Sequence, residues 1–193
     1  MNTSSPYTFL IIHGTKGSPD INWFPWLKAQ LEQRGHTVIA PHFPKLDEQN
    51  FDNWSKVAKT ALGETPANQV ILVGHSIGAA FVLRLAELAH QTPFYATFSV
   101  CPFIQNLGLP EYDRLNRTFI EHTFDWAKVK SGAGHLFLYA GDNDPYVPLA
   151  YSQDIANRLK ENLNVIHCGG HLNGEFGYDK FEGLLADIDP ILS

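Results

Sequence analysis

The sequence predicts an α/β fold in which a mostly parallel sheet of about six strands carries helices on both faces. Short apolar runs with little polar alternation recur along the chain, as strands buried on both faces do. Stretches with large apolar residues at helical spacing separate most of them. Repeated strand–helix alternation implies right-handed crossovers, and these place helices on both faces of a parallel sheet.

In order, Phe9–Ile12 is the first strand, followed by a helix marked by Trp23, Trp26, Leu27 and Leu31. Val38–Ala40 is the second strand, and Trp54, Val57, Ala58 and Leu62 mark the next helix. Val70–Val73 leads into a helix over Ile77–His90, apolar on most faces, and Phe94–Cys101 is the fourth strand. The stretch 102–132 mixes Pro, Gly, charge and aromatics without a strand, and is the candidate lid-like segment. Leu136–Ala140 and Asn164–Cys168 complete six strands read as fully buried, and Asp179–Ile188 has the pattern of a C-terminal amphipathic helix.

At 193 residues with 44% hydrophobic content, the chain supports one well-buried core and is too short for two, so 1–193 reads as one domain with 1–6 as a flexible N-terminus. A net charge of -6 spread without runs argues against a nucleic-acid footprint. Cys101 and Cys168 both sit in apolar strand-like runs and are expected to be buried free thiols, which fits a cytoplasmic setting. The N-terminus lacks a basic n-region, and Phe9–Ile12 is too short for a signal core or membrane span, so neither export nor a membrane anchor is expected.

Chemistry concentrates at Gly74-His75-Ser76-Ile77-Gly78, which has the form of a nucleophile elbow between a buried strand and a helix. A side chain at the crest of so sharp a turn needs small neighbours, and Gly74 and Gly78 supply them. The bland alternative is a glycine-bracketed turn with a capping serine. A serine hydroxyl is a poor nucleophile at neutral pH, so it requires a base and a group that fixes the base's tautomer. Asp144 is the preferred acid in Gly141-Asp142-Asn143-Asp144 after a late strand, with Asp142 as a turn residue. His171, after Gly169-Gly170, is the preferred base, whereas His167 within the strand reads as a core histidine. The loop after the first strand offers Thr15 N–H as the oxyanion partner of Ile77 N–H. His13, Gly14, Trp23, His75, Phe103 and Tyr146 are candidate substrate-lining residues. A metal site from His13, His75, Asp144 and His171 has no HExxH or closely spaced cluster behind it, so no metal or other cofactor is expected.

His13-Gly14-Thr-Lys-Gly17, Trp23-Phe-Pro-Trp-Leu-Lys28, the Gly74–Gly78 elbow, Gly141-Asp-Asn-Asp144 with Val147-Pro148, and Gly170-His171-Leu-Asn173 together resemble the small α/β-hydrolases of the retinoblastoma-binding protein nine-like family, in its bacterial branch. The resemblance runs from about Tyr7 to the final helix with the motifs in the same order. It implies an α/β-hydrolase fold without a large cap domain, a triad at Ser76, Asp144 and His171, and activity on short acyl esters. The expected function is therefore a carboxylesterase for small acyl esters working through an acyl-enzyme. Thioesterase and aminopeptidase activities use the same triad, and a hydrolase scaffold kept as a protein-interaction module is the alternative from another class.

Overall fold

The structure, a computed structural model, describes residues 6–192; the stretch 1–6 expected to be flexible lies, apart from Pro6, outside the described residues. Six strands form one parallel sheet: β1 (Thr8–Ile12), β2 (Thr37–Ile39), β3 (Val70–His75), β4 (Ala96–Val100), β5 (His135–Gly141) and β6 (Leu163–Ile166). Their order is β2-β1-β3-β4-β5-β6. The helices are α1 (Phe24–Gln33), α2 (Phe51–Leu62), α3 (Ile77–Leu88), α4 (Pro110–Ile120), α5 (Trp126–Gly132), α6 (Leu149–Leu159) and α7 (Glu182–Ile188).

Alternate residues of each central strand serve opposite faces, as the period-two pleat requires. Phe9 and Ile11 of β1 and Ile71 and Val73 of β3 pack with Leu27 and Leu31 of α1 and Leu184 and Ile188 of α7. Leu10, Ile12, Val70 and Leu72 pack on the other face with Trp54 of α2 and Phe81 of α3. Burying each such side chain contributes about 1.5–3 kcal/mol. The helical stretch inside 102–132 belongs to this core, because Phe119 of α4 is fully buried and lies edge-on to Trp54 and Phe81.

The outer strands correct the expectation of six fully buried runs. In β2 only Val38 is buried, and β6 has no buried residue. An edge strand has only one neighbour, and β6 pairs with β5 alone among the described strands. β6 also ends at Ile166, so His167 and Cys168 fall in the following turn and are exposed rather than core residues. Cys101 is buried, and both cysteines are free thiols.

Candidate active site

In a parallel sheet every strand ends on the same edge, and the loops leaving those ends share one crevice. The register sets Ile12 beside Gly74, His75 beside Val100, and Gly141 beside Ile166. The loops after β1, β3, β5 and β6 therefore converge. They carry Gly14 and Thr15, Ser76, Asp144, and His171.

Ser76 sits at φ 60, ψ -121, a strained conformation for a residue with a Cβ. The turn is possible because two backbones nearly touch. A Cβ on Gly74 would lie 2.2 Å from the Gly78 carbonyl oxygen, and one on Gly78 2.6 Å from that of Ile12. By position Ser76 is the N-cap of α3, yet its side chain makes no capping hydrogen bond, so the capping alternative fails. Ile77 opens α3, so its N–H has no partner within the helix.

His171 Nδ1 donates to Asp144 Oδ2 at 2.6 Å, with both side chains almost fully buried. Burial pushes the Asp144 carboxyl up, but the His171 hydrogen bond and charge and the Val147 and Tyr146 N–H groups outweigh it and hold it below the ordinary range. Asp144 is therefore an anion at neutral pH, and as an acceptor it keeps a proton on His171 Nδ1, so that Nε2 is the nitrogen free to take one. Ser76 and His171 line one cavity of about 210 Å³, together with Gly14, Thr15, Asn22, His75, Tyr112, Asn116, Tyr146 and Asn173 among others. Among the described residues no hydrogen bond joins the serine hydroxyl to His171; such contacts often tighten only with substrate bound.

The loop carrying His171 is pinned at several points. His75 Nε2 lies 2.8 Å from the His171 carbonyl, which can only accept, so His75 is the Nε2–H tautomer. Burial, then the neighbouring His171, lowers the His75 pKa to about 3 and keeps the ring neutral. Trp23 Nε1 donates to the Leu172 carbonyl at 2.9 Å, and Gly170 N–H to Asn143 Oδ1 at 2.7 Å.

His13 performs the same service on the first loop. The Phe43 N–H donates to its Nε2, so Nδ1 carries the proton and donates to the Gly14 carbonyl at 2.8 Å. Burial lowers the His13 pKa to about 4. Gly17 N–H holds the same carbonyl at 3.0 Å.

Of the six candidate lining residues, Gly14, His75 and Tyr146 border the cavity. His13, Trp23 and Phe103 do not: all three are almost wholly buried, and Trp23 and Phe103 belong to the two core clusters. Their places in the sequence beside active-site loops do not determine where their rings pack. His167, expected in the core, lies instead on the surface with its Nδ1 2.7 Å from Asp142 Oδ2. No motif marks Asn116, and Asn173 enters the sequence reading only as the end of the Gly170-His171-Leu-Asn173 motif, without a place at the cavity. Asn116 Nδ2 and Asn173 Oδ1 are buried without a partner among the described residues, an arrangement that costs about 1–3 kcal/mol per group.

Two groups of side chains bring three potential metal-ligand atoms within 4.8 Å: His75, Cys101 and His171 in the interior, and Asp142, His167 and Cys168 on the surface. In the first, His75 Nε2 and His171 Nδ1 are already committed to hydrogen bonds. Among the described residues no helix is long and apolar enough to cross a membrane.

The chain is similar to known proteins in sequence and in fold. The chain is 30% identical over 178 residues to the serine hydrolase RBBP9 of Rattus norvegicus, covering 90% of this chain and 91% of that protein. It is 28% identical over 169 residues to the hydrolase YdeN of Bacillus subtilis, covering 87% of each. The crystal structure of the B. subtilis ydeN product superposes with a TM-score of 0.85 at 24% identity, covering 96% of this chain and 98% of that one. Est1E of Butyrivibrio proteoclasticus has the same fold, with a TM-score of 0.69 at 17% identity over 99% of this chain and 87% of its own. The fold is that of the α/β-hydrolases. Residues 9–189, from the first strand through the last helix, match the family described as serine hydrolase, and the chain belongs to that family.

Proposed function

We propose that the chain is a carboxylesterase for small or short-chain acyl esters, with Ser76 as nucleophile, His171 as base and Asp144 as the acid that orients it. The observation that carries this reading is a strained serine whose side chain makes no capping bond, sharing a cavity with a buried His171–Asp144 pair. Ser76 Oγ attacks the ester carbonyl as His171 Nε2 takes its proton, and Asp144 stabilises the resulting imidazolium. The same proton passes to the leaving alkoxide, and water repeats the attack on the acyl-enzyme.

The negative oxygen would be held by two backbone donors. Ile77 N–H lies at the positive end of α3. The Gly14 carbonyl is drawn toward His13 and Gly17, and in a planar trans peptide Thr15 N–H faces the opposite way. Each donor contributes about 3 kcal/mol to the transition state. A cavity of about 210 Å³ favours a small acyl group. Two free thiols, one of them exposed, support a reducing cytoplasmic setting.

Hydrolysis of p-nitrophenyl acetate, butyrate and dodecanoate, with an acyl thioester and an aminoacyl anilide alongside, tests the assignment. The expected result is turnover of the two short esters, weak turnover of the dodecanoate, and loss of all of it in Ser76→Ala. Preference for the thioester or anilide would replace the substrate class and keep the mechanism. A folded wild type that turns over none of the five would favour an interaction role on a hydrolase scaffold.

A further inference from the structure

An oxyanion donor helps only if its loop is held still before substrate arrives. The loop after β1 is not self-sufficient, because Lys16, next to Thr15, has φ 58 in the left-handed region that non-glycine residues avoid. His13 and Gly17 hold it on one side through the Gly14 carbonyl. On the other side, Thr15 Oγ1 donates to Asn116 Oδ1 of α4 at 2.6 Å, across 101 residues of sequence. Lys16 N–H donates to Gln49 Oε1 at 3.4 Å, and Gln49 Nε2 donates to the same Asn116 oxygen at 3.0 Å and to the Leu115 carbonyl at 3.3 Å.

Backbone groups that can play only one part fix both amides. Lys16 N–H must donate and the Leu115 carbonyl must accept, so Gln49 turns its oxygen to the first and its nitrogen to the second. The Asn116 atom that meets Gln49 Nε2 is then the oxygen, and it receives two donors at once. Its Nδ2 is left buried with no acceptor among the described residues. An apolar side chain of similar shape would spare the fold that orphan; what asparagine alone returns is an acceptor for Thr15 and Gln49 together. Asn116 is 1% exposed, and Phe119, one turn on, anchors α4 in the aromatic core, so the clamp is tied to the interior. The parallel Lys16–Glu111 pair at 2.7 Å is solvent-exposed and adds little.

We propose that Asn116 is a positioning residue for the oxyanion hole, its Oδ1 clamping Thr15 so that Thr15 N–H is aimed before substrate binds. The proposal rests on the reading of Ser76 as nucleophile and Thr15 N–H as oxyanion donor. It gives the 102–132 segment a definite task, that of bracing the first loop from across the cavity.

The test measures kcat, KM and melting temperature with p-nitrophenyl butyrate for Asn116→Ala, Thr15→Val and the double variant. Arg114→Ala, at an exposed ion pair on the same helix, is the control. Asn116→Ala is expected to lower kcat about ten- to hundredfold with KM within about twofold, since the donor acts on the transition state. The double variant should be no worse than the more severe single one, because both remove one interaction, and Arg114→Ala should keep wild-type kcat. Wild-type kcat in Asn116→Ala, multiplying effects in the double variant, or an equal loss in Arg114→Ala would each overturn the proposal. If Asn116→Ala does not fold, Thr15→Val decides, and an unchanged kcat there overturns it. An inert wild type that also takes no fluorophosphonate would instead refute the hydrolase reading beneath it.

Discussion

Several polar side chains around this site hold backbone in place. His75, His13 and Trp23 each spend a ring nitrogen on a carbonyl of the loops that carry Gly14 and His171 to the cavity. Burial holds His13 and His75 neutral, and this has a pH consequence. The free-chain value of 6.5 falls to about 4 for His13 in the fold, so the folded state binds fewer protons than the unfolded state in between. Above about 6.5 the ring is neutral in both states and contributes no slope; acidification from there toward 4 favours unfolding, by on the order of 3 kcal/mol in full. Urea unfolding of wild type and His13→Gln between pH 7.5 and 4 should show the variant losing stability less steeply as pH falls. Parallel curves would mean that His13 is not held neutral.

At the scale of elements, the elbow between β3 and α3 is set by backbone contact rather than by side chains. The closest approach of Gly78 to the first strand's end leaves no room for a methyl group, with Ile12 and His13 carbonyl oxygens 2.6 and 2.7 Å from where it would sit. Gly78→Ala is therefore expected to cost several kcal/mol, as a substitution that must move core backbone does. Gly63→Ala, at φ 54 and ψ -126 with nothing within 4 Å of the new methyl, should cost only the conformational strain, about 1–3 kcal/mol. Denaturant midpoints for the two variants check this, and equal losses would contradict the close-approach account. The strands that build the elbow are readable in the sequence because β1 and β3 are flanked on both sides and carry unbroken apolar runs, whereas the equally buried β4 alternates with Thr97 and Ser99. β6 was overextended for the converse reason. The strand-like pattern runs on through His167 and Cys168, but the strand ends at Ile166 and the turn beyond it carries both side chains to the surface.

For the whole molecule, local motifs forecast the positions of Ser76, Asp144 and His171, because each is the product of a strand end and a turn with a recognisable composition. The bracing around them was illegible. Thr15 and Asn116 are 101 residues apart, and Trp23 and Leu172 149 apart, so only the folded sheet shows that they meet. The same limit applies to His13, Trp23 and Phe103, whose places beside active-site loops suggest lining residues although their side chains are buried away from the cavity. On the proposed function, this assembly activates a single serine, Ser76. Intact-mass detection of a fluorophosphonate adduct on wild type, Ser76→Ala and His171→Ala tests it most directly. The expected result is one adduct on wild type, none on folded Ser76→Ala, and formation slowed by about a thousandfold or more in His171→Ala; an adduct that survives in Ser76→Ala, or forms at the wild-type rate in His171→Ala, would show that Ser76 is not activated in this way.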